Sequence, residues 1–135
     1  MISKAVSDSA QMITRMAPVL DPQDYCFCHV ADDHKFRAAS VLATFREDEG
    51  LTLVLPLAQA QAAGLTGPPF RRITLQVHSA LEGVGLTAAV AGALAEGGIA
   101  CNVMAAFYHD HIFVPSAQAS DALSILQRLS AAARR

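Results

Sequence analysis

The sequence predicts an α+β fold of two similar units, with antiparallel sheet covered by helices on one face. Three observations carry this. Short segments of alternating polarity are interleaved with helical stretches. The second half reads strand, helix, strand, strand, helix, which is the split βαβ order of the ferredoxin-like class. The first half reads helix, strand, hairpin, helix, a loose repeat of the same unit. About six strands and four helices are expected, layered so that each apolar sheet face is buried under helices.

Taken in order, Ser7-Asp8-Ser9 offers an N-cap for a helix reaching about Ala17, with Met12, Ile13 and Met16 as its stripe and Pro18 and Pro22 closing the segment. Tyr25 to Val30 reads as a strand, and Ala31 to Phe36 as a charged loop. Val41 to Arg46 and Leu51 to Leu55 flank Glu47-Asp48-Glu49-Gly50, a hairpin signal. Leu57 to Ala63 is a short helix stopped by Gly64. Thr66-Gly67-Pro68-Pro69 is the clearest boundary, because paired prolines continue neither helix nor central strand. It divides the chain into residues 1–68 and 69–135. Beyond it, Ile73, Leu75 and Val77 alternate with polar residues as in a half-buried strand. Gly85 to Glu96 is helical, with Leu86, Val90 and Leu94 on one face, and Gly97-Gly98 ends it. Cys101 to Tyr108 and His111 to Val114 read as strands about a tight His109-Asp110 turn. Pro115-Ser116 opens a last helix bearing Ala119, Leu123, Leu126 and Leu129.

The composition narrows the function. The 135 residues are 53% hydrophobic and 16% charged, a compactly folding chain with a net charge of −2. Arg71-Arg72 and Arg134-Arg135 are isolated pairs, so no nucleic-acid footprint is expected. No stretch is long and apolar enough for a membrane span, and residues 1–12 do not read as a secretory signal. Three cysteines, an odd number, argue against a disulfide framework and place the chain in the cytoplasm.

Few residues carry chemistry. Glu82, Val84 and Gly85 lie in a strand-to-helix turn, where the amides of Val84, Gly85 and Leu86 at a helix N-terminus suit a carboxylate. Gly85 would let a ligand approach closely. The same residues also make an ordinary turn. His109-Asp110-His111 is the densest polar cluster and reads either as a hairpin tip or, with His78, as part of a metal site short of an assured third ligand. Cys26 and Cys28 share a strand face, but C-x-C fits neither redox nor zinc spacing, and both read as buried small hydrophobes. Ser40, Ser79 and Ser116 have no nucleophile motif around them, and Gly83-Val84-Gly85 is too short for a dinucleotide fingerprint. No cofactor, metal or catalytic residue is expected. Ala88, Ala91, Gly92 and Ala95 form an uncharged helix face that predicts close contact with the other unit or a second chain.

The run ITLQVHSALEGVGLTAAVAGALAEGGIACNVMAAFYHDHIFVP resembles the ACT domain, and FREDEGLTLVLP with the helix after it is similar to the amino-terminal module of bacterial tandem-ACT proteins. The resemblance implies two ferredoxin-like ACT modules in tandem that bind an amino acid or other small metabolite and regulate something else without catalysis. It implies a ligand set of Glu82, Val84, Gly85, Leu86, Asn102 and Asp110, with Asp110 as an amino-group anchor where related arginine sensors carry an aspartate. A homodimer is also implied. The competing expectations are an interaction module with a vestigial pocket and a small metal-assisted enzyme using His109 and His111.

Overall fold

In a computed structural model that describes residues 5, 8–31 and 41–134, the Asp8 carboxylate accepts the Gln11 amide at 2.9 Å and starts helix α1 (Ser9–Thr14). Ser7, Ser40 and residues 32–36 of the expected loop lie outside the described residues. The helix stops short of Ala17 because a residue before proline is driven out of the αR region; Ala17 instead takes φ 44°. Pro18 and Pro22 do not close a segment, as the sequence suggested. They belong to strand β1 (Pro18–Val30), which starts well before Tyr25. Pro18 is its first residue and Pro22 sits in the bulge between Leu20 and Asp24, two places where no ladder N–H is needed.

The chain continues as β2 (Ala43–Glu47), β3 (Gly50–Pro56), α2 (Leu57–Ala62), β4 (Phe70–Leu75), α3 (Leu86–Glu96), β5 (Asn102–Ala105), β6 (Asp110–Pro115), a 3₁₀ turn (Ser116–Gln118) and α4 (Ala119–Ala132). All six strands join one antiparallel sheet in the order β2-β3-β1-β4-β6-β5. The two middle strands serve both units. β1 pairs with β3 through Tyr25–Val30 and with β4 through Pro18–Leu20 and Asp24–Tyr25. Each unit thus takes its fourth strand from the other half of the chain.

The repeat is visible in side chains as well as in order. Leu55-Pro56-Leu57-Ala58-Gln59-Ala60 and Val114-Pro115-Ser116-Ala117-Gln118-Ala119 make the same strand-to-helix corner, with both prolines at φ −53° and both Ala60 and Ala119 buried. Tyr25 pairs with Pro56 as Phe70 pairs with Pro115, and the two aromatics pair with each other at the local two-fold.

Cross-strand partners share a face, so the register fixes what each face carries. On the helix-covered face, Ile73, Leu75, Ile112 and Val114 pack with Met12 and Met16, with Leu86, Val90 and Leu94 of α3, and with Ala119, Ala122 and Leu126 of α4. Cys26, Cys28, Leu53 and Leu55 form a second cluster with Ala60. The cysteines are buried and free, with Sγ atoms 3.0 Å apart. No helix among the described residues covers the opposite face. There Tyr25, Phe27, Phe70 and Phe113 stack edge to face around Val54. On the Ala88, Ala91, Gly92 and Ala95 face of α3, a Cβ added at Gly92 would touch nothing within 4 Å among the described residues. No helix among the described residues is long and apolar enough to cross a membrane.

Candidate ligand site

The site lies where the loop from β4 to α3 meets the β5–β6 turn. The turn is not the tight His109-Asp110 corner that the sequence suggested. Ala106 to His109 form it, closed by the Ala106 amide donating to the His109 carbonyl at 3.1 Å, and Asp110 is already the first residue of β6, opposite Leu75 and Ala105. That register turns Asp110 inward, onto the helix-covered face with Ile112 and Val114. Its side chain is therefore not a polar tip: Asp110 is only 8% exposed. The Ser79 hydroxyl donates to its Oδ2 at 3.2 Å.

Asp110 lines a cavity of about 60 Å³ with Ser79, Met12, Gly83, Leu86 and Thr87. Leu86 and Thr87 bring the first turn of α3, whose leading N–H groups have no intrahelical acceptor. Gly85 stands at the N-cap and contributes no capping side chain. One small cavity thus holds a buried carboxylate and abuts the positive end of an eleven-residue helix. Ser79, Ala80 and Leu81 also form the wall of a wider groove of about 290 Å³, lined further by Ala5, His78, Glu82 and Phe107. The His78 ring ties the two loops together, 4.9 Å from Tyr108 and 6.2 Å from Phe107 between ring centroids.

The expected ligand set divides on this geometry. Asp110 and Leu86 meet in the inner cavity and Glu82 stands on the outer groove. Val84 lines neither and is 79% exposed. Gly85 has φ 111°, and a Cβ there would come 2.9 Å from the Ser9 Cβ, so its missing side chain makes room for α1 and not for a ligand. Asn102 is not brought to the site. It starts β5 at the end remote from Asp110, faces the helix-free side with Phe113, and donates to the Phe113 carbonyl at 3.3 Å.

His111 also faces the helix-free side, where its Nδ1 lies 3.0 Å from Thr74 Oγ1. Burial lowers its pKa, with the nearby Arg72 and His109 adding to the effect. Among the described residues no three His, Cys, Asp or Glu side chains come together as metal donors.

Ser79, Leu81, Thr87, Phe107 and Tyr108 escaped sequence reasoning. The Phe107-Tyr108 pair read as strand because aromatics favour strands. Its exposure was the missing signal: of the seven large apolar residues left exposed among those described, Leu81, Val84, Phe107 and Tyr108 all fall in these two loops.

Comparison with known proteins agrees with this architecture. Residues 5–69 and residues 69–128 each match an ACT domain family model. No curated protein matches the sequence. Among solved structures, a Vibrio cholerae protein of unknown function described as a possible transport protein is 50% identical, with a TM-score of 0.79 over 87% of this chain and 92% of that one. An Agrobacterium tumefaciens protein is 18% identical with a TM-score of 0.66, covering 80% of this chain and 84% of that one. The ligand-free regulatory subunit of aspartate kinase from Thermus thermophilus is 13% identical with a TM-score of 0.61, covering 83% and 95%, and shares the fold. With both halves matched and half the residues shared with a near-full-length relative, the chain belongs to the ACT-domain family as a tandem pair.

Proposed function

We propose that the protein is a non-catalytic regulatory module that binds an amino acid at the Asp110 cavity and the groove leading from it. The ACT-domain matches support a ligand-binding regulatory role, and the carrying observation is the buried Asp110 carboxylate beside the first turn of α3. A zwitterion has two charged ends that need opposite partners. Its ammonium group meets Asp110, and its carboxylate meets the amide groups at the start of α3, so both charges are answered in one small volume. A second copy docking on the small-residue face of α3 completes the reading, and the cytoplasm is its setting.

Calorimetric titration of the twenty amino acids against the wild-type chain and Asp110→Ala tests it. Removing one member of a desolvated charge pair costs about 2–5 kcal/mol, roughly 30- to 4000-fold in affinity. Loss of binding with the fold intact is the expected result. Equal affinity in the two proteins would move the site away from Asp110, and no binding by either would leave the chain as an interaction module.

A further inference from the structure

We infer that the amino acid recognised at this site has a medium or large apolar side chain, an inference that rests on the proposed amino-acid site and names its specificity. The size of the two compartments is the first argument. An inner cavity of about 60 Å³ is several times the roughly 10–15 Å³ that one water needs on this measure, room for a polar head group but not for a large side chain beside it. Ser79, Ala80 and Leu81 line both compartments, so the outer groove is the adjacent space for the side chain. At about 290 Å³ that groove stands at the low end of small-molecule pockets, which run from about 300 to 1,000 Å³. It suits one amino-acid side chain.

The chemistry of the groove is the second argument. Ala5, Ala80, Leu81, Phe107 and the His78 ring make its walls largely apolar. Leu81 and Phe107 are each 68% exposed, a costly state that a covering side chain relieves. Among the described residues, the charged side chain on the groove is Glu82, of the same sign as Asp110 in the inner cavity. Acidic side chains are therefore repelled, while glycine and alanine leave Leu81 and Phe107 uncovered.

The test is calorimetric titration of the full chain with phenylalanine, leucine and methionine against glycine, alanine, aspartate and glutamate, repeated with Phe107→Ala. The apolar three are expected to bind at least about tenfold tighter than the rest. Phe107→Ala, at an exposed turn position with ring contacts to His78 and Tyr108, should weaken them about tenfold while lowering the melting temperature by no more than a few degrees. Tightest binding by an acidic amino acid, glycine or alanine, or unchanged affinity in Phe107→Ala, overturns the specificity but leaves the site standing. No binding by any of the seven in both proteins, with none among the remaining amino acids, overturns the site and the specificity together.

Discussion

Met16 tests how the two halves are built. It belongs by sequence to the first half, yet it is 0% exposed and packs among Ile73, Leu75, Leu86 and Leu126 of the second. Its carbonyl accepts the Gln76 amide at 2.6 Å, and the neighbouring Thr14 carbonyl accepts the Ser130 hydroxyl at 2.9 Å. Met16→Ala removes a fully buried side chain from a cluster with no exposed flank to collapse into. Such changes cost about 2–5 kcal/mol, the transfer contribution plus the cavity left behind. Taking about 3 kcal/mol and about 3–4 °C per kcal/mol for a chain of this length, the melting temperature falls by roughly 10 °C. Because β1 and β4 are shared, the loss should appear in one cooperative transition for the whole chain, by calorimetry and in urea. A drop of under about 1 kcal/mol, or two transitions of which Met16→Ala moves only one, would refute a shared core. The control is Met104→Ala on the helix-free face, where the side chain is only partly buried.

Burial raises the Asp21 pKa, but hydrogen bonds from the Gln23 amide, Tyr25 and Arg72, with the Arg72 charge, outweigh it, so the pKa lies below 3.8. A depressed folded pKa stabilises above the unfolded value and is lost as pH falls through the folded one, so acid titration below about pH 4 should weaken the wild type more than Asp21→Asn. Burial, then the Cys26 neighbour, pushes the Cys28 thiol up to about 12. Iodoacetamide at pH 8 should therefore leave Cys26 and Cys28 unmodified in folded protein and label Cys101 first; rapid labelling of Cys28 by peptide mass analysis would contradict the burial argument. Ala91→Arg should shift sedimentation from dimer to monomer if the small-residue face of α3 docks a second copy, and leave it unchanged if that face is solvated.

The repeat, the strand and helix order and the buried stripes were legible because apolar spacing records which face is covered. Leu86, Val90 and Leu94 came out buried together for that reason. The length of β1 was not legible, because prolines at its first residue and in its bulge imitate a boundary. Nor was the sharing of β1 and β4, since the sequence does not say which of two similar units a strand completes. Asp110 was picked as a binding residue through family resemblance. The one-residue placement that took it from a tip to a buried face depended on the four-residue turn at Ala106–His109. Ser79 carried no sequence signal, because its role comes from a hydrogen bond across 31 residues.

The repeat also separates a functional Asp110 from a structural one. The position related to Asp110 is Leu51: Leu75 pairs with Asp110 as Val30, its repeat counterpart, pairs with Leu51. Leu51 is a partly buried member of the apolar cluster around Cys26 and Leu53. The fold thus accepts leucine at this place in one unit, while the other holds a buried carboxylate whose side-chain partner among the described residues is Ser79. Leucine relieves the desolvation cost of burying the carboxylate, of order a few kcal/mol, whereas a Ser79 hydroxyl left unpaired costs about 1–3 kcal/mol. These nearly cancel, so Asp110→Leu should melt within a few degrees of the wild type while losing amino-acid binding. If Asp110 instead braces the hairpin against the β4–α3 loop, the same change breaks a needed hydrogen bond, and the melting temperature should fall well beyond that range. Thermal unfolding beside calorimetric titration of the one variant distinguishes the two.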